Sequence, residues 1–115
     1  MSEELIGIGR LRLHKGKLGE FKRLSAHVME IVRTMDTGTL QFDVYFNDDQ
    51  SECILIERYK DSAALMEHAA HVGDIMAPIF ATGMLSSEML GVPSAQLKAM
   101  MTGSDVRLFM PFLTL

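Results

Sequence analysis

The chain has 115 residues, 48% of them apolar, and a formal charge of −4 without any cluster of Lys or Arg. That is one domain's length with enough apolar residues for a single core, and its charge pattern excludes nucleic acid as an expected partner, because phosphate binding needs concentrated positive charge. No apolar run approaches the roughly 18 residues of a membrane span, the start MSEELIGIG lacks the pattern of a secretory leader, and the lone Cys53 excludes an internal disulfide, so a reducing cytoplasm is the expected location.

Leu5 to Leu13 reads as a strand, with Ile6, Ile8, Arg10 and Arg12 on one face and Leu5, Gly7, Gly9, Leu11 and Leu13 on the other. The two glycines let something pack close to it. They are not a dinucleotide fingerprint, since IGIGRL lacks the third glycine and an immediate helix. After the turn at 14–17, Leu18, Phe21, Leu24, Val28, Ile31, Val32 and Met35 recur at helical spacing, which predicts a helix to about Asp36, stopped by Gly38. Leu40, Phe42, Val44 and Phe46 alternate with Gln41, Asp43 and Tyr45, the pattern of a half-buried strand.

A polar turn, NDDQS, leads into the strand Glu52 to Tyr59. This strand is apolar on both sides: Cys53 and Leu55 on one, Ile54 and Ile56 on the other. Asp61 or Ser62 then caps a helix whose inner stripe is Leu65, His68, Ala69 and Val72. Gly73-Asp74 is expected to interrupt it before a further turn or two containing Pro78. Met84 to Val92 reads as a fourth strand, Pro93 to Met101 as a short helix, and Val106 to Phe112 as a last edge strand.

The order βαββαβ predicts an α+β, ferredoxin-like antiparallel sheet, with a C-terminal short helix and extra strand added at 93–115 to a core at 5–92, all in one domain spanning 1–115. Two helices cover one face of such a sheet. Apolar residues on the other face predict a second copy packed sheet against sheet, a homodimer forming a dimeric α/β barrel. The ten methionines suit either a core filler or the lining of a pocket or interface.

The corner from Glu57 to His68 gathers the candidate chemistry. His68 lies on the inner stripe, where it is either a satisfied core histidine or a base facing a pocket. His71 follows three residues later, but no carboxylate or third histidine sits at compatible spacing, so no metal is expected. Tyr59 shares a strand face with Glu57, and Tyr45 lies on the polar side of its strand. Glu57 needs a partner such as Arg10 or Arg12. Arg58 points away from Glu57 and would hold an anionic group or a partner subunit. Cys53, among apolar neighbours, reads as inert packing.

Glu57, Arg58 and Tyr59 at a strand end, followed by Asp61, Ser62, Ala64, Leu65 and His68, resemble the antibiotic biosynthesis monooxygenase domain family over about residues 5–92. The Lys15-Gly16-Lys17 turn and Phe21 are similar to that family as well. The resemblance implies a small dimeric ferredoxin-like protein. Some such proteins oxygenate phenol- or quinol-like aromatic molecules without metal, flavin or other cofactor, using the substrate's own electrons to reduce dioxygen. Under that reading His68 and Tyr59 are the expected catalytic residues, with Arg10, Arg58, Tyr45 and His71 expected to contact a small aromatic substrate. The family's strand-end aromatic is most often Trp, where this chain has Tyr59. The heme-opening branch uses an Asn on the first strand, where this chain has Gly9 and Arg10, so heme is not expected. A non-catalytic, dimeric ligand-binding or regulatory module of the same fold is the alternative.

Overall fold

The computed structural model describes residues 3–115. Five strands, β1 (Leu5–Leu13), β2 (Thr39–Phe46), β3 (Glu52–Tyr59), β4 (Gly83–Leu90) and β5 (Arg107–Phe109), form one sheet in the order β2-β3-β1-β4-β5. Helices α1 (Leu18–Met35), α2 (Ser62–Phe80) and α3 (Ala95–Met101) complete the expected ferredoxin-like α+β fold. The first four strands pair antiparallel, and β5 runs parallel to β4. Among the described residues no helix is long and apolar enough to cross a membrane.

Alternation along β1 and β3 sends Leu5, Leu11, Cys53 and Tyr59 under the helices, where they are buried. From α1, Phe21, Leu24 and Val28 meet Leu11 and Cys53, joined by Val72 and Ile79 of α2. A second buried cluster, Leu5, Met89 and Leu97, lies under α3. The other face carries Ile6, Ile8, Ile54, Ile56, Met84, Leu90 and Phe109, with Arg10, Arg12 and Arg58 among them, and no helix of the described residues covers it.

Several boundaries differ from the sequence reading. Helix α2 runs through Gly73 and Pro78 without a break. Glycine costs only about 1 kcal/mol in a helix interior, and burial of Val72 and Ile79 on either side offsets it. Asp61, rather than Ser62, is the cap; its side chain accepts from the Ala64 N–H at 2.8 Å. Leu40 sits where the β2–β3 register shifts, so it leaves the alternation and is exposed. Strand β4 stops at Leu90, before the left-handed Gly91. The last strand is only three residues long. Proline at 111 has no N–H for a ladder, and 110–115 lie exposed beyond it.

Gly38 does not use glycine's left-handed freedom to end α1. Asp36 is the C-cap, in extended geometry, and Gly38 is absent from the positive-φ glycines. A Cβ there would stand 2.4 Å from the Ala64 Cβ, so the glycine permits close approach to α2.

Candidate functional site

The close approach at Gly38 lays the α1–β2 connection directly on α2. His68 and His71, three residues apart, are neighbours on one face of that helix. Asp36 reaches both: Oδ2 lies 2.7 Å from His68 Nδ1, and Oδ1 lies 2.6 Å from His71 Nδ1. Thr39 Oγ1 also donates to Oδ2, at 2.8 Å. One residue on, Thr37 donates its backbone N–H and its hydroxyl to Glu67. Burial opposes charge on Asp36, but the hydrogen bonds from His71, His68 and Thr39 outweigh it and hold the carboxyl below its ordinary value.

Strand β3 supplies the opposite wall. Glu57 and Tyr59, two residues apart, share its helix-facing side. The Tyr59 hydroxyl donates to Glu57 Oε1 at 2.5 Å, and His68 Nε2 lies 3.7 Å from the same oxygen. The His68 ring packs between Phe42 and Tyr59, with centroids 5.5 Å and 5.4 Å away. Burial raises the Glu57 carboxyl above its ordinary range, against the opposing pull of the Tyr59 hydrogen bond and of charge on His68. Burial and the adjacent Glu57 raise the Tyr59 phenol.

Glu57, Tyr59 and His68 form the polar end of a cavity of about 380 Å³ between sheet and helices. Its walls are mostly apolar, including Phe42, Leu55, Val72 and Met76, with Ser25, Ser87 and Glu88 also in the lining. Gly7 and Gly9 form its floor; a Cβ at either would meet its neighbours at 3.7 Å, so the missing side chains leave room rather than relieve a clash. No Lys or Arg lines the cavity among the described residues.

His68 and Tyr59 therefore come together as the sequence suggests. His71 stands behind Asp36 and does not line the cavity. Arg10, Arg58 and Tyr45 lie on the opposite face of the sheet. There Arg10 pairs with Glu88, and Arg58 lies 3.6 Å from Glu4 and 3.4 Å from Gln41. Tyr45 is exposed beside a groove that Arg10 also lines. The expected pairing of Glu57 with Arg10 or Arg12 is replaced by Tyr59 and His68, because both arginines face away; Arg12 pairs with Glu52 at 3.6 Å. Burial pushes the Cys53 thiol up to about 11, which suits inert packing.

Asp36 is the site residue that sequence reasoning missed. It lies in a turn without periodicity, so only the tertiary contact reveals it. It also corrects the expectation that no carboxylate stands near the histidine pair. Asp36, Glu67 and His71 bring one ligand atom each within 4.8 Å of one another and are the residues that could hold a metal ion. The carboxylate oxygens of Asp36 and Glu67 are engaged by the two histidines and by Thr37 and Thr39, so hydrogen bonds account for the cluster.

Solved structures share this architecture. MupZ from Pseudomonas fluorescens is 16% identical with a TM-score of 0.85, covering 100% of this chain and 90% of that one, so the likeness extends through α3 and β5. Rv0793 from Mycobacterium tuberculosis is 22% identical with a TM-score of 0.68, covering 80% and 98%. SnoaB, a cofactor-independent oxygenase from Streptomyces nogalater, is 16% identical with a TM-score of 0.67, covering 83% and 96%. At these identities the shared property is the fold. No curated protein matches the chain. The antibiotic biosynthesis monooxygenase family matches residues 5–73, the span from β1 through both histidines of α2, and the chain belongs to that family.

Proposed function

We propose that the protein is a cofactor-independent monooxygenase acting on an uncharged phenol- or quinol-like aromatic molecule. The observation that carries this reading is His68, held at Nδ1 by Asp36 and placed with Nε2 3.7 Å from Glu57 in the lining of a mostly apolar cavity. A cavity of about 380 Å³ suits a small ring system. With no cationic side chain among the described lining residues, it favours a neutral substrate over a carboxylate or phosphate.

His68 takes the proton of the substrate hydroxyl, and the Asp36 carboxylate stabilises the positive charge that forms on the ring. Tyr59, donating to Glu57, holds that carboxyl beside the substrate oxygen. The phenolate passes an electron to dioxygen, a carbon–oxygen bond forms, and water leaves. Phenol and dioxygen thereby give quinone and water with electrons balanced. The protein acts as a homodimer through the uncovered sheet face, whose exposed apolar residues support that assembly. The buried free cysteine suits a reducing cytoplasm.

Oxygen uptake with a panel of reduced quinones and phenols tests the reading. Wild-type uptake should exceed that of His68→Ala by roughly 100-fold or more; equal uptake across the panel refutes it. The nearly all-apolar walls also favour a second reading, a non-catalytic module for a small apolar ligand. Melting shifts on ligand addition without any turnover would select that reading.

A further inference from the structure

The polar end of the cavity carries a base and an acid side by side. His68 Nε2 is the base, 3.7 Å from Glu57 Oε1. Tyr59 already donates to that oxygen, at 2.5 Å. The second carboxyl oxygen, Oε2, faces the bare backbone of Gly7; even a Cβ built there would remain 3.8 Å away. Gly7, Glu57 and His68 all line the cavity, so a bound molecule meets both groups at once. Burial raises the Glu57 carboxyl above its ordinary range, and Oε2 is the oxygen that the Tyr59 hydroxyl leaves open over the glycine floor. Asp36, 2.7 Å behind the imidazole, balances any positive charge gained at His68.

We propose that His68 and Glu57 enolise an uncharged cyclic or aryl ketone bound in the cavity, without dioxygen. His68 Nε2 removes a proton from the carbon next to the carbonyl. The C–H electron pair becomes the enol double bond, and the carbonyl oxygen takes the proton of Glu57 Oε2. The Tyr59 hydroxyl, already on Oε1, stabilises the carboxylate that results. Reversal returns a proton to the same carbon, or to the far end of a conjugated system, giving hydrogen exchange or double-bond migration. No oxidant or reductant is consumed. The substrate is neutral, because no Lys or Arg faces it among the described lining residues. This activity shares the cavity and the base with the proposed oxygenase and nothing downstream, so the two can fail separately.

The test is deuterium incorporation into β-tetralone by the full chain, under strictly anaerobic conditions in deuterium oxide, followed by proton NMR. Wild-type protein should exchange the α-hydrogens faster than buffer. Glu57→Gln, which keeps the size but cannot give a proton, should lose roughly 10-fold or more, and His68→Ala roughly 100-fold. Both variants retain every surface amine and carboxylate that could catalyse exchange outside the cavity, so the comparison isolates the site. Should His68→Ala fail to fold, the isosteric Glu57→Gln decides alone. Wild-type exchange no faster than buffer, or a Glu57→Gln rate equal to wild type, overturns the proposal. Exchange without oxygen uptake on any phenol supports it while removing the oxygenase reading; uptake without exchange does the reverse.

Discussion

Asp36 and Glu57 both touch His68, yet the fold moves their protonation in opposite directions. Asp36 sits below its ordinary 3.8 because three hydrogen bonds reward the charged form. Its stabilising contribution is complete above that value and disappears as pH falls through the lower folded value. Asp36→Asn should therefore cost roughly 1–3 kcal/mol near neutrality, with the gap to wild type closing below about pH 4. Glu57 is raised above its ordinary 4.5 by burial. The folded chain then keeps a proton that the unfolded chain has released, so stability falls as pH rises from 4.5 through the folded value. Urea midpoints of wild type and Glu57→Gln at about pH 4 and about pH 8 check this: the variant should gain on wild type at the higher pH. A constant difference between them would show that Glu57 titrates alike in the folded and unfolded chains. Helical spacing made His68 legible in the sequence, and the two-residue period of β3 placed Tyr59 with Glu57. The same period sets Arg58 opposite to these, but alternation alone does not say how the faces of separate strands align or which face the helices cover, so Arg10 is expected beside Glu57 and the structure places it on the other face.

At the scale of elements, the site depends on how closely the α1–β2 connection lies on α2. Gly38 and Ala64 set that distance, since a Cβ on Gly38 would stand 2.4 Å from the Ala64 Cβ. The Gly38→Ala change should destabilise by about 1–3 kcal/mol through overpacking. Adding Ala64→Gly removes the clashing atom but costs about 1 kcal/mol of helix propensity. The double variant should therefore melt above the sum of the two single effects, and a purely additive result would refute the contact. The separation of Asp36 from His68 should respond in step, because Gly38 lies two residues after the first and Ala64 one turn before the second. Sequence reading took Gly38 for a helix stop, since glycine after an apolar stripe has that meaning most often. It also broke α2 at Gly73, where local propensity was weaker than the burial of Val72 and Ile79. The six element types of the core were legible because each carries its own period. The three-residue β5 was overdrawn because its apolar run continues past Pro111 into exposed chain.

For the whole molecule, the unfinished feature is the sheet face without helices. Ile54 is 40% exposed and Met84 68% exposed on that face, while Phe109 stands at its β5 edge. Beyond it, Phe112 and Leu113 are 90% and 84% exposed. An apolar surface of this extent is unusual on a free monomer and is the kind of patch an isologous dimer covers. Rows of paired charge, Arg10 with Glu88 and Arg12 with Glu52, cross the same face and leave few bare charges to oppose association. The proposed homodimer therefore predicts twice the chain mass by light scattering at micromolar concentration. Ile54→Asp places a new carboxylate in the middle of the contact. It should shift the protein to monomer while leaving its far-ultraviolet circular dichroism intact, because Ile54 belongs to neither buried cluster. The cavity lies on the other side of the sheet, so β-tetralone exchange should persist in the separated subunit if the protomer holds the whole site. A wild-type protein that is monomeric at this concentration, with Ile54→Asp unchanged in mass, would leave the apolar face unexplained and remove the dimer from the account.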